Sequence, residues 1–432
     1  MGSCYHEGMD KKTLQETRGR LEAFVEPLLP LLGRSERRQW GAFYIQGLLL
    51  EGGRKTAAGM AKRCGGDEQA LQQFINQSPW DWMVIRREVA VRMARDAGPR
   101  GAWVLDDTGF PKKGEHSVGV ARQYSGTLGK VGNCQIGVSL NYATDEGCFP
   151  IDFQLYVPKA WAEDSVRRHK AQIPDDVVFK RKWELGLQMI DRAREWGLPV
   201  EVVVADAGYG VVTAFRAALR EKGFCYVVGI PGEVKVWRHP VPEEKISASA
   251  RIRDLPKPES VREVARDLPA EAWSDVVWRE GTKGPLRGRF AAIRVQPSHG
   301  HCQGKVTEPL QWLLVEWPQG ELQPTKYWLS NLPEETTVRD LVYWAKIRWW
   351  VEQNYQQLKD DIGLDHFEGR SWGGWHRHVT LAMVAFDFLV LEGFRSKKNF
   401  WVDPPTRQTR TSTGSHGAPW VLPNVSAESV AG

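Results

Sequence analysis

The feature that most constrains this chain is a change of period at Ala102. From there apolar residues stop recurring every three or four positions and begin to run together or alternate, as strands require. AWVLDDTG is a short apolar run that ends in two acids and a turn. Residues 135–142 and 149–157 follow as further strands. Residues 184–194 then read as a helix, 202–205 as a buried strand ending at Asp206, 214–222 as a helix and 224–230 as a strand. Strands first, then helix and strand in alternation, predict an α/β fold with a mixed sheet covered by helices.

The flanking segments differ in pattern. Residues 11–97 are helical: Leu14, Leu21, Phe24, Val25 and Leu28 form one stripe, interrupted by Pro27 and Pro30. Ser35 is the expected N-cap of a second helix carrying Trp40, Phe43, Tyr44 and Leu48. Three shorter helices are expected at 54–63, 67–77 and 80–95, the first of them basic, which suits DNA binding and also suits packing on a neighbour. Residues 232–325 begin with frequent Pro (Pro240, Pro242, Pro256, Pro258) and continue with strands at 272–278, 289–295 and 311–315. They read as a β-rich insertion and not as a continuation of the sheet. A strand resumes at 327–330, Thr336 or Thr337 is a helix cap, and 341–361, free of Pro and Gly, reads as one helix. Asp387 and Glu392 make 379–394 a buried helix and not a membrane span. The expected division is an N-terminal helical domain (1–98), a core in two parts (99–231 and 326–400), the insertion (232–325) and a loose Pro- and Thr-rich tail (401–432).

Composition narrows the function classes. The formal charge of +5 permits a polyanionic partner without requiring one. Twenty Trp supply core volume and surfaces on which bases stack. The six Cys lie far apart, with no CxxC pair, and His299, His301 and Cys302 match no common zinc spacing. Reduced thiols, the lack of an N-terminal apolar core of a signal peptide and the lack of a long apolar run lead to the expectation of a cytoplasmic protein with no membrane partner.

Three acids stand where a sheet would present them together. Asp106 or Asp107 ends the first strand, Asp206 ends a later one, and Glu352 lies on the helix after the last strand. Carboxylates at buried strand ends are costly unless paired, hydrogen-bonded or bound to metal. Converging acids repel, and hard divalent cations such as Mg²⁺ or Mn²⁺ relieve that repulsion. Two such ions about 4 Å apart can activate water and stabilise the leaving oxygen in phosphodiester cleavage. At about 100° per residue, Arg348, Glu352, Tyr355 and Lys359 share one helical stripe, an acid flanked by bases and an aromatic.

With these motifs in hand, the chain resembles the DDE-type insertion-sequence transposases, which have an RNase H-like catalytic core. The resemblance rests on VLDDTGFPKKGEHSVGVARQYSGTLGKVGNCQIGVSL, VVVADAGYG, YWLSNLP and the stretch from Leu341 to Leu381. Such enzymes use Asp-x-Thr after the first strand, an Asp after the fourth, and Tyr-x2-Arg-x3-Glu-x6-Lys on a helix. Asp106 with Thr108, Asp206, and Arg348, Glu352 and Lys359 match; Ala345 stands at the Tyr position, with Tyr343 two residues off and Tyr355 as the alternative aromatic. The resemblance implies that Asp106, Asp206 and Glu352 hold two Mg²⁺ or Mn²⁺ ions, with Asp107 the alternative to Asp106. It further implies that water cuts DNA at the element's terminal inverted repeats, that the freed 3′-hydroxyl attacks target DNA, and that a homodimer in the synaptic complex, nucleoid-associated, does so. Arg348, Lys359, Tyr355, Lys112, Lys113, Arg122 and Lys130 are the candidate DNA contacts.

Other readings are weaker. VVVADAGYG also resembles the first strand and turn of an S-adenosylmethionine methyltransferase, but several strands precede it and the next strand ends without an acid. GTLGK lacks the first Gly and the Ser or Thr of a phosphate loop. A non-catalytic DNA-binding protein and a general nuclease on the same fold are the remaining alternatives.

Overall fold

The computed structural model describes residues 11–241, 256–281, 284–298 and 308–402. Of the tail expected at 401–432, Trp401 and Val402 belong to the last helix; the rest, together with Pro242, Cys4, His299, His301 and Cys302, lies outside the described residues.

Five helices open the chain: α1 (Lys11–Val25), α2 (Ser35–Leu49), α3 (Ala57–Cys64), α4 (Glu68–Asn76) and α5 (Trp82–Ala97). Local chemistry sets most of their starts. Thr56, Asp67 and Asp81 each accept a backbone N–H of the first turn, satisfying a donor that the helix itself cannot. Ser35 is not a cap: it is the first helical residue of α2, and Arg34 at the cap position makes no side-chain cap bond. Leu21, Phe24, Val25 and Leu28 are buried, as their stripe requires.

Next come β1 (Ala102–Pro111), β2 (Ala121–Ser125), β3 (Lys130–Ala143) and β4 (Cys148–Leu155). Three helices, α6 (Lys159–Ala162), α7 (Ser165–Ala171) and α8 (Lys182–Glu195), lead to β5 (Val202–Ala205), α9 (Ala207–Gly210), α10 (Thr213–Glu221) and β6 (Tyr226–Ile230). β1 pairs antiparallel with β3 and parallel with β5, and β5 pairs parallel with β6. The order β4-β3-β1-β5-β6 is that of an RNase H-like mixed sheet, with β2 sharing an edge of β3 with β4. The motif GTLGK falls in the β2–β3 hairpin turn, not between a strand and a helix, and β5 lies inside the sheet after four earlier strands.

The structure corrects two expectations about the sheet. Asp106 does not end β1, which runs on to Pro111 because β3 continues to pair with it. What ends is the parallel partner: β5 stops at Ala205, opposite Leu105, so Asp106 is the first residue beyond that pairing. The insertion is also not separate from the sheet. It contributes β7 (Lys235–Trp237), β8 (Glu259–Ser260), α11 (Val261–Arg266), β9 (Trp273–Gly281), β10 (Gly284–Pro297) and β11 (Gln311–Trp317), after which β12 (Lys326–Ser330) returns to the core. β12 pairs with β6 on one edge and β11 on the other, and β10 follows β11. Hydrogen bonds therefore run unbroken through a 12-stranded sheet. An open β6 edge would leave a row of backbone groups unpaired; β12 covers it, and the insertion's β11 covers β12 in turn.

The last helices are α12 (Val338–Ile347), α13 (Trp349–Asp360) and α14 (Trp372–Val402). Thr337 caps α12 by accepting from Asp340 N at 3.1 Å. The single helix expected over 341–361 is broken at Arg348. No Pro or Gly causes the break: α12 packs on β6 and the insertion strands, whereas α13 packs on β1 and β4, so the two halves follow different parts of the sheet. α14 is buried over most of its described length and packs on β4 and on α2, α4 and α5, tying the helical segment to the core.

Candidate active site

The middle of β1 and the carboxyl end of β5 meet α13 at a cleft of about 870 Å³, whose walls include Asp106, Asp206 and Glu352. Register explains the first two: Leu105 and Ala205 are paired neighbours, so the acids next along the two strands stand side by side. The turn that carries Asp206 is tight. Its Oδ1 accepts from Gly208 N at 2.9 Å and Tyr209 N at 3.3 Å, capping α9. A Cβ on Gly210 would collide with the Gly229 carbonyl, so glycine lets this turn press on β6. Glu352 comes from the first turn of α13 and has the most exposed carboxylate of the three.

Alternation along β1 separates the two neighbouring acids. Asp106 faces α13, where Arg348 bonds it through one guanidinium nitrogen and Glu352 through another. Asp107 faces α8: Lys182 Nζ lies 3.0 Å from both of its oxygens, and Tyr209 donates its hydroxyl at 3.2 Å. Burial pushes the Asp106 carboxyl up to about 7 despite the opposing effect of Arg348, with Asp206 and Asp107 adding to the rise. Burial raises Asp206 as well. For Arg348 burial opposes the charge, but Asp106, Glu352 and Asp206 outweigh it and the guanidinium is raised.

These residues fit a divalent ion in kind. The donors are carboxylates without nitrogen or sulfur, the preference of Mg²⁺ and Mn²⁺. Asp106 is a buried carboxylate short of positive charge. Among the described residues no group of three or more His, Cys, Asp or Glu is arranged to hold an ion as it stands. Arg348 bridges two of the three acids, Asp106 and Glu352.

The candidate DNA contacts fare differently. Lys359 lines the cleft and bonds only neutral oxygens, Gly109 O at 2.9 Å and Thr127 Oγ1 at 2.8 Å, so its charge is not cancelled by them. Tyr355 forms part of the cleft wall, but its ring is buried and its hydroxyl lies 2.6 Å from Ser139 Oγ. Lys112 is turned inward, donating to Phe367 O at 2.7 Å, and burial lowers it to about 8. Lys113, Arg122 and Lys130 lie outside the cleft lining. Lys182 and Tyr209 are site residues that sequence patterns do not single out; Tyr209 sits in the VVVADAGYG motif, but nothing local marks Lys182.

Comparison with known proteins agrees with this architecture. A family model described as DDE superfamily endonuclease matches residues 27–285, and one described as Transposase DDE domain matches residues 184–387. The chain belongs to the DDE superfamily endonucleases, the transposase lineage included. A probable transposase for insertion sequence element IS701, from Microchaete diplosiphon, is 26% identical over 319 residues, covering 73% of this chain and 72% of that protein. No helix among the described residues is long and apolar enough to cross a membrane.

Proposed function

We propose that the chain is the transposase of an insertion element, cutting DNA at the element's terminal repeats and joining the cut ends to target DNA. One observation carries this reading: Asp106 and Asp206, adjacent through strand register, and Glu352 on α13 line a single cleft. Mg²⁺ or Mn²⁺ bound by these carboxylates would supply the Lewis acidity that activates water and stabilises a leaving oxygen. In the first step a water oxygen bonds to phosphorus as the strand's 3′-oxygen leaves. In the second, that 3′-hydroxyl bonds to a target phosphorus and the target's own 3′-oxygen leaves.

The chain's own residues orient the strand for both steps. Lys359 places a charge at the cleft wall as a point contact for phosphate, and Arg348 can offer its planar fork to the same backbone. A phosphate at Arg348 competes with Asp106 and Glu352 for the guanidinium, so DNA binding and release of the carboxylates are coupled. Basic α3 in the N-terminal segment is a further DNA-contacting element, and two copies acting together would synapse the two ends. Such a reaction belongs with the chromosome, in the nucleoid.

Cleavage of a duplex containing the gene's native flanking DNA tests this reading. Wild type should cut with Mg²⁺ or Mn²⁺ and not with EDTA, and Asp206→Ala should bind without cutting. Cutting that survives Asp206→Ala would move the active site elsewhere.

A further inference from the structure

We propose that Lys182 is a phosphate-binding residue of the DNA groove and that Asp107 is the residue that positions it. This rests on the reading of the cleft as a DNA-cutting site and assigns its second wall. The cleft opens where β5 ends beside the middle of β1, so both faces of the sheet border it: Asp106 and Glu352 from the α13 side, Asp107 and Lys182 from the α8 side. A DNA strand lying across that opening meets carboxylates and needs cations on both sides to remain there. Lys359 serves the α13 side. Lys182 is the cation on the other.

Three features make Lys182 more than an ordinary surface ion pair. It is the first residue of α8, where the helix dipole disfavours a cation, so another interaction must hold it there. Gly186, one turn on, lets α8 sit against β1: a Cβ there would collide with Leu105 Cδ2. Close approach brings Nζ to 3.0 Å from both oxygens of Asp107, and the Tyr209 hydroxyl fixes that carboxylate from the turn that carries Asp206. The lysine is thus locked to the loop that carries one of the three converging acids. An ammonium has three donors, and the bonds to Asp107 use two, which leaves one for a phosphate oxygen.

The test uses the full chain and a fluorescein-labelled duplex of the gene's native flanking DNA, with binding read by anisotropy in EDTA across a KCl series. One lost phosphate contact lowers the log–log salt slope by about 0.9, a roughly 5–10-fold weaker affinity near 0.1 M salt. Lys182→Ala should show that change and Lys182→Arg should keep the slope. Asp107→Asn should reproduce Lys182→Ala, and the double variant should be no weaker than Lys182→Ala alone. A wild-type slope in Lys182→Ala, or fully additive losses in the double variant, would overturn the assignment. Cutting of the same duplex with Mg²⁺ separates the two ideas. A reduced slope in Lys182→Ala with no cutting by wild type sinks the nuclease reading and keeps Lys182. Cutting by wild type with an unchanged slope does the reverse, and no binding by wild type sinks both.

Discussion

Replacing Asp106 by Asn should alter the pH dependence of stability of the metal-free protein in a predictable direction. The Asp106 carboxyl stands at about 7 in the folded chain against an ordinary value of 3.8, because burial outweighs the help of Arg348. A raised folded value means that the folded state binds the proton more tightly. The resulting stability is fully present below about pH 4 and is lost as pH rises through about 7. Linkage makes the contribution about 3 kcal/mol at pH 5 and near zero at pH 8. With roughly 2.1 cal/mol/K of unfolding entropy per residue over about 350 ordered residues, that loss corresponds to about 3–4 °C in melting temperature. The assay is a pair of thermal melts in EDTA at pH 5 and pH 8 for wild type and Asp106→Asn. Titrating groups away from the cleft, His378 among them, are common to both proteins and cancel in the comparison. Wild type should lose several degrees more than the variant on going to pH 8, and Mg²⁺ added at pH 8 should recover that loss in wild type alone. Parallel pH profiles would refute the claim that Asp106 is a carboxylate short of counter-charge.

Further predictions concern other parts of the molecule. Lys359→Ala should lower the salt slope of end binding by about 0.9, since its ammonium is bonded only to neutral oxygens; an unchanged slope in the anisotropy series would remove it from the groove. Asp152→Ala should destabilise the fold by about 3–5 kcal/mol, because it strands the buried Arg86, whose guanidinium lies 3.0 Å from the Asp152 carboxylate, and deprives Arg192 of its partner at 2.6 Å. Urea unfolding measures it, and a loss under about 1 kcal/mol would mean that the network is not needed. Tyr44→Phe should cost about 1 kcal/mol in the same assay, by removing a buried hydroxyl that lies 2.8 Å from His378 Nδ1.

That Asp106, Asp206 and Glu352 line one cleft is the most legible part of the arrangement. An apolar run ending in an acid is a local signal, and VVVADAGYG delivers both β5 and Asp206 at its end. Stripe geometry likewise places Glu352 near Arg348. Tertiary contacts are not legible. The break at Arg348 has no breaker residue behind it and arises from two helices packing on different strands. The insertion looks separate because it opens with Pro-rich sequence, yet β12 pairs on both edges and joins it to the sheet. The partners of Asp107 are hidden for a related reason: alternation says that it faces away from Asp106, but nothing near Lys182 says that α8 will bring an ammonium there. Ser35 shows the limit at short range, since a good capping residue one position too late caps nothing.

The central claim is that Asp106, Asp206 and Glu352 form one DNA-cutting centre that mobilises an element. Its most direct test is excision in cells of a marker flanked by the gene's native neighbouring DNA, driven by wild type or by Asp206→Ala. Excision by wild type that Asp206→Ala abolishes is the predicted result. Excision that persists in Asp206→Ala would contradict the account.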